Sequence, residues 1–422
     1  MKPSINLPQG IALYIAAILG SGVLFISGTA ASIAGPASLI SWGIVIFITF
    51  PLAYSFACLS QKYPDAGGAA TFVRHSFGYH MGNLVGWFYF ICAAVGQTIV
   101  SLTGAFYVEN AFPFPIPTMW TAILILFIGV LMNFFGIQIS GRVAIYISSC
   151  LVFLLLSVVF LSLPFIEFGH FFPFRPFGWE SIGTAAAIIF WSYFGWEAIC
   201  NLAPQFKNPQ KDIIASTWVS AILIGIIFLL LSVITIGTGT YGSVENDLSP
   251  IGVMMEQSLG VGAKVITAIL AFIVCVGTVN AFVASLGQLG YSLSRDGAFP
   301  KWMITGNTQV HSPKRVVLFV FFFSGFGIVA TEIIRVGFYD ILFIPTSLGV
   351  CVYILSMAAA VKLFDKGTLP WNASLFSLSA CLLILPFFQL YIVVPIVILL
   401  LYILYIKFKN TSSQAEQKVN PF

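Results

Sequence analysis

The chain has 422 residues, of which 59% are hydrophobic and only 8% charged, and its mean hydropathy is +1.00. No single water-soluble core absorbs that much apolar surface, so a soluble globular domain is excluded and the bilayer becomes the solvent. The net charge of +4 is small, and its placement below follows membrane topology, so no nucleic-acid partner is called for.

Spanning about 30 Å of hydrocarbon takes about 20 apolar residues. Apolar runs fall near 9–34, 37–59, 84–107, 118–139, 143–165, 182–203, 214–237, 262–291, 316–334, 341–361, 371–388 and 389–407. We read them as twelve transmembrane helices in an all-α polytopic membrane protein. Cytoplasmic loops should carry the basic residues. With the N-terminus inside, fifteen of the eighteen Lys and Arg fall on inner segments, leaving only Arg175, Lys264 and Arg335 outside. Both chain ends then lie in the cytoplasm, and the bilayer is the protein's first partner. The first run follows Lys2 and ends in small residues as a secretory signal does, but it is longer than a signal's apolar core.

The first run is interrupted by Gly20-Ser21-Gly22, with Gly28 beyond. Each glycine costs roughly 1 kcal/mol against alanine in a helix interior. A small-residue packing face between membrane helices is one explanation. The other is a break that lines a cavity, where the amides opening the second half-helix hold an anionic group. Gln97 is polar near the middle of the third run, where interhelical hydrogen bonding is the commoner role and lining a cavity the alternative. The fifth run, 143–165, carries no charge.

The sixth run holds Phe190-Trp191-Ser192-Tyr193-Phe194-Gly195-Trp196-Glu197, again glycine-interrupted and here with a carboxylate. An ionisable residue in a span costs at least about 2.5 kcal/mol on insertion scales and marks a pathway or a partner. Runs one and six are five spans apart, so they enter the membrane from opposite sides. Two inverted five-helix repeats with paired broken helices require that offset. On the eighth run, Thr278 and Ser285 lie seven apart and share a face, and Asn280 is a further polar position near mid-span.

Several chemistries find no residues to carry them. The seven cysteines fall within spans or at their ends without metal-ligand or redox spacing, and the four histidines fall in loops, so neither metal nor cofactor is expected. A membrane enzyme needs a convergent nucleophile and base, and a channel needs a continuous polar pore; isolated polar positions supply neither. The polar tail from Asn410 reads as unstructured.

Four motifs together resemble the amino acid-polyamine-organocation transporters, which have the fold of the bacterial leucine transporter. Gly20-Ser21-Gly22-Val23-Leu24-Phe25 is similar to that family's G-[ST]-G-I-F break. Tyr63-Pro64-Asp65-Ala66-Gly67-Gly68-Ala69, with Phe77-Gly78 and Gly86-Trp87, resembles its Y-P-x-A-G-G stretch. Phe194-Gly195-Trp196-Glu197 with Lys207-Asn208-Pro209 resembles G-[FW]-E…K-N-P, and Ser294-Arg295-Asp296-Gly297-Ala298-Phe299-Pro300 resembles A-R-D-G-x-[FL]-P. The resemblance implies repeats at 1–165 and 166–367, a C-terminal helix pair at 368–408 and a cytoplasmic tail at 409–422.

It also implies an alternating-access transporter for an amino acid substrate in the cytoplasmic membrane of a bacterium. The substrate-binding set would be Ile18, Gly20, Ser21, Gly22, Val23, Trp191, Ser192, Phe194 and Gly195. Amides at Ser21, Gly22 and Val23 would meet the carboxylate, carbonyls at Ile18, Trp191, Ser192 and Phe194 the ammonium, and Phe194 would gate the pocket. Gln97, Trp196, Glu197 and Asn280 would line the pocket or brace it, with bracing favoured for Glu197. Thr278 and Ser285 would form a cation site in a sodium-linked member. The coupling ion, H+ or Na+, stays open: Gln205 replaces an acid common in relatives, Gln288 replaces a frequent arginine, and the fifth run lacks a lysine. Pocket walls without charge apart from Glu197 imply a neutral hydrophobic substrate such as methionine, leucine, isoleucine or valine. The compact chain resembles the family's small bacterial exporter branch, so export and exchange are both open. A sensor of the same fold that binds without transporting is the alternative.

Overall fold

The fold is given by a computed structural model, which describes residues 5–64, 67–112, 117–135, 141–200, 203, 206–303 and 314–419. The protein is helical, and among the described residues extended pairing is limited to one bridge between Ile5 and Phe206. The first apolar run holds α1 (Leu7–Leu19), a 3-10 turn (Gly22–Leu24) and α2 (Ile26–Ala34). It starts on a capping box in which Asn6 and Gln9 satisfy each other's backbone N–H groups. The next runs hold α3 (Ser38–Lys62), α5 (Tyr79–Ala111), α6 (Thr118–Phe134) and α7 (Gly141–Ser162).

The sixth run is interrupted like the first, with α8 (Glu180–Ile189), a 3-10 turn (Phe190–Tyr193) and α9 (Trp196–Cys200). Then follow α10 (Pro209–Gly237), α13 (Val261–Arg295), α14 (Lys314–Ile334), α15 (Phe338–Leu363), α16 (Leu369–Ile384) and α17 (Val393–Val419). Among the described residues, eight helical stretches are long and apolar enough to cross a membrane, while Leu7–Leu19 and Thr118–Phe134 are shorter apolar helices. Two of the eight, Ile26–Lys62 and Leu369–Lys409, each join two of the apolar runs, because a helical corner there leaves no polar gap. The protein is a multi-pass membrane protein.

Three connections hold structure that hydropathy does not announce: α4 (Gly68–Phe77), α11 (Val244–Leu248) and α12 (Pro250–Leu259). His75 and His80 accordingly lie on α4 and in the first turn of α5, not in loops. The expected unstructured tail is also corrected, since α17 continues to Val419. Gln414, Ala415, Glu416, Gln417 and Lys418 are good helix formers, and extending an existing helix needs no new nucleus. Gln205, like Asp65 and Ala66 of the loop motif, lies outside the described residues.

Small residues set the helix spacing, since van der Waals fit and not hydrophobicity drives association in lipid. α5 packs along α13, α15 and α6. A Cβ at Gly104 would stand 2.7 Å from Ile125 and 3.0 Å from Cys275, and one at Gly129 would stand 2.6 Å from Val279. At one end of the bundle α11 lies on α2: a Cβ at Gly28 would stand 2.9 Å from the Asp247 carbonyl oxygen. The Asp247 carboxylate accepts from the Gly242 amide and from the Tyr339 hydroxyl, each at 2.8 Å. Lys264 joins Glu245 and Glu256 at 2.8 and 2.7 Å, tying α13 to this cover. At the other end Arg74 of α4 pairs with Asp296 after α13 at 3.0 Å.

These notches predict a contrast. Gly129→Leu drives α6 off α13 and lowers the apparent melting temperature in detergent, or abolishes the monodisperse peak on size exclusion. Gly43→Ala, with nothing within 4 Å of the added methyl, leaves both unchanged.

Candidate functional site

The two interruptions face each other. α1 ends at Gly20, whose φ of 33° is left-handed, a conformation that glycine adopts without strain. Ring closure resumes with Leu24 N–H on the Ser21 carbonyl (3.2 Å) and Phe25 N–H on that of Gly22 (3.3 Å). The amides of Ser21, Gly22 and Val23 precede the first of these bonds, and such amides have no partner inside the helical segment they open. In the sixth run, Phe194 N–H closes on the Trp191 carbonyl (3.2 Å), Phe194 is extended and Gly195 has φ of 140°. A Cβ on Gly195 would stand 2.9 Å from Ile18 and 3.2 Å from the Ala17 carbonyl. One break is thus seated directly on the other.

Glu197 closes the second break. Its Oε2 accepts the Gly195 amide at 3.1 Å and the Tyr353 hydroxyl at 2.5 Å, and Tyr353 also reaches the Tyr193 carbonyl at 3.3 Å. The carboxylate is 4% exposed, so these donors offset the desolvation that burial imposes on it. Ser192 turns its hydroxyl back to the Ile189 carbonyl at 2.7 Å, capping the end of α8.

Between the breaks lies a cavity of about 50 Å³. Its lining takes Ala17, Ile18, Gly20, Ser21 and Gly22 from the first run and Trp191, Ser192, Phe194 and Glu197 from the sixth. α5 contributes Tyr89, Cys92, Ala93, Gly96, Gln97 and Val100, and α13 contributes Thr278 and Phe282. Gln97 donates its amide to the Ala93 carbonyl at 2.8 Å and leaves its Oε1 without a partner, as is the Tyr89 hydroxyl. Two rings are socketed in glycine notches. Trp191 lies on Gly96, where a Cβ would come within 2.8 Å, and Phe194 lies on Gly349, where a Cβ would come within 2.7 Å of the ring edge. A cavity of about 50 Å³ holds only a few waters. Admitting an amino acid therefore requires the cavity to widen.

Five of the residues singled out in the sequence lie outside the lining. Val23 has its side chain in the core, and Gly195 is occupied against α1. Trp196 packs on Tyr14, ring centroids 5.4 Å apart, because the turn at Gly195 carries the chain away from the cavity. Asn280 faces α6, with Asn133 Nδ2 donating to its carbonyl at 2.8 Å. Ser285 shares the face of Thr278 but sits about 10 Å further along the helix at 1.5 Å per residue. Thr278 lines the cavity while its hydroxyl donates to the Val274 carbonyl at 2.8 Å. Conversely, Tyr89, Cys92, Gly96, Val100 and Phe282 were missed. A signal existed for part of the α5 face: counting three and four residues from Gln97 gives positions 89, 93 and 100, but not Cys92 or Gly96.

Comparisons with known proteins place this architecture. The family model described as "Amino acid permease" matches residues 5–415. "Uncharacterized amino acid permease YecA" of Bacillus subtilis (strain 168) is 31% identical over 391 residues, covering 92% of this chain and 91% of that protein. "L-methionine/branched-chain amino acid exporter YjeH" of Escherichia coli (strain K12) is 26% identical, covering 86% of this chain and 87% of that protein. A solved Na+-coupled sialic acid symporter, substrate-bound and outward-open, superposes with a TM-score of 0.61 over 90% of this chain and 89% of that one. At 10% identity this likeness shows the leucine-transporter-like fold alone. The protein is a membrane transporter and not an enzyme. It belongs to the amino acid permease family of the amino acid-polyamine-organocation transporters.

The brace predicts an ordering of variants. Glu197→Ala leaves the Gly195 N–H and the Tyr353 O–H without their acceptor, at about 1–3 kcal/mol for each buried orphan. Glu197→Gln keeps an amide oxygen at that place. The apparent melting temperature of the purified protein falls further for the alanine variant than for the glutamine variant, and substrate binding follows the same order.

Proposed function

We propose that the protein moves a neutral, hydrophobic amino acid across the cytoplasmic membrane of a bacterium by alternating access. The observation that carries this is the pair of mid-run breaks seated on each other beside a cavity with one carboxylate in its lining. Orphan amides at Ser21, Gly22 and Val23 carry the positive end of the following dipole and suit a carboxylate. Carbonyls at the end of α1 and those of Ser192 and Phe194 in the turn after α8 suit an ammonium. A zwitterion is accommodated by partial charges of both signs, and Glu197 is left to its brace. Ile18, Val100, Trp191, Phe194 and Phe282 give the side-chain end an apolar wall. The name of the Escherichia coli relative, a methionine and branched-chain amino acid exporter, points to the same substrate class, and export or exchange is the proposed mode.

We further propose twelve crossings, with α1 and α2 making one, α8 and α9 another, and α16 and α17 separate ones, and both chain ends in the cytoplasm. The basic residues support this: fifteen of eighteen lie on one side of that topology. The repeats are placed at 1–165 and 166–367, the helix pair at 368–408 and the tail at 409–422. The sodium site of some relatives has one counterpart here, Thr278, whose hydroxyl is already bound to its own helix.

Proteoliposomes loaded with radiolabelled methionine test the substrate class. Efflux competed by leucine, isoleucine and valine but not by lysine or glutamate is expected, and competition by lysine or glutamate alone contradicts the proposal. Efflux that requires an amino acid outside marks exchange, and binding without flux marks a sensor. Gly22 has Ser192 Cβ at 3.4 Å from where its own would be, so Gly22→Leu fills the gap between the breaks. It should weaken methionine binding by at least about tenfold, or 1.4 kcal/mol, by calorimetry.

A further inference from the structure

We propose that the connection between α7 and α8 is an interfacial anchor that beds its aromatic side chains among the phospholipids of the leaflet on its side of the membrane. Phe165, Phe168, Phe172, Phe174, Phe177 and Trp179 lie within fifteen residues and all are exposed, Phe168 at 82% and Phe172 at 76%. An aqueous loop would hold few such side chains, because each leaves a large apolar area in water.

The segment is held in place by its backbone and by residues other than these aromatics. Glu167 N–H donates to the Gly237 carbonyl at 2.9 Å, and His170 Nδ1 meets the same carbonyl at 2.8 Å, fixing the segment to the end of α10. Pro176 fills the corner between α2 and α3, where a Cβ on Gly35 would stand 2.7 Å from its ring. The loop is therefore pinned across the ends of membrane helices with its aromatic rings turned outward.

What covers the rings follows from continuity with the lipid-facing surface. On α7, Phe153, Leu156 and Phe160, and Leu163 in the 3-10 turn that follows, are exposed at helical spacing, the stripe a peripheral membrane helix turns to lipid. That stripe runs directly into Phe165 and Phe168. Tryptophan gathers at the headgroup level of membrane proteins, and phenylalanine is a side chain that interfacial segments bury at the boundary of headgroups and acyl chains. Arg175, its guanidinium 4.2 Å from the Trp179 ring centroid, supplies the charge that a lipid phosphate would take.

Photocrosslinking tests the occupant. The full-length protein with Phe168→p-benzoylphenylalanine or Phe172→p-benzoylphenylalanine is irradiated in phosphatidylethanolamine–phosphatidylglycerol vesicles, with the same substitution at Phe160 as the lipid-facing reference. Phospholipid adducts at both loop positions, in yields like those at Phe160, are expected. Adducts at Phe160 alone, or a covalent dimer of two copies, overturn the proposal. Hydroxyl-radical footprinting of the unsubstituted protein in the same vesicles needs no variant to fold. Phe168, Phe172 and Trp179 should each be oxidised more slowly in the vesicles than in the same protein unfolded in urea, and equal rates overturn the proposal as well.

Discussion

Gly195 rests on the backbone carbonyl of Ala17 and the side chain of Ile18, where a Cβ would stand 3.2 and 2.9 Å away, and that contact fixes where two interrupted helices meet. A membrane helix does not break without a reason, since each backbone group stranded in hydrocarbon costs several kcal/mol. Here the stranded groups of one break lie beside those of the other. The contact depends on a residue without a Cβ, at a φ that L side chains rarely adopt. The placement of the amides after Gly20 beside the carbonyls before Gly195 depends on this approach.

Around that contact the remaining polar groups do supporting work. Glu197 satisfies the Gly195 amide and is itself satisfied by Tyr353, so α15 reports on the state of the sixth run's break. Phe194 and Trp191 sit in notches provided by Gly349 and Gly96, on α15 and α5. Helices outside the two breaks thus hold the rings that close the cavity. A movement of α15 would reach both the brace and one ring at once, which is a short physical route from helix packing to access. Of the cover held by Asp247 and Lys264, α11 lies on the second half of the first run, while α12 lies on α13 and α7.

Much of this was written in the sequence, unevenly. Gly20-Ser21-Gly22 and Phe194-Gly195 stood out because glycine in a helix interior needs an explanation, and the breaks occur at those residues. The tertiary consequences were less legible. Trp196 looked like a pocket wall from its place beside Phe194, yet the turn at Gly195 sends it to Tyr14. Periodicity puts Ser285 on the face of Thr278, but two turns of rise separate it from the cavity. The α5 wall carries one conspicuous polar residue, Gln97, from which helical counting reaches Tyr89, whereas Phe282 on α13 is an apolar residue that hydropathy treats like its neighbours and is found only in three dimensions. Short helices such as α4 and α11 escaped because their stability comes from docking onto spans and not from an apolar run of their own.

If peptide dipoles at the two breaks hold the ligand, both of its charged ends are needed. Calorimetry on the purified protein with the best-binding neutral amino acid, its carboxylate-free alcohol and its N-acetyl derivative addresses this directly. The account predicts binding for the free amino acid and none for either blocked form. Equal affinity for the alcohol would contradict it, because the amides of Ser21, Gly22 and Val23 would then have no anion to hold.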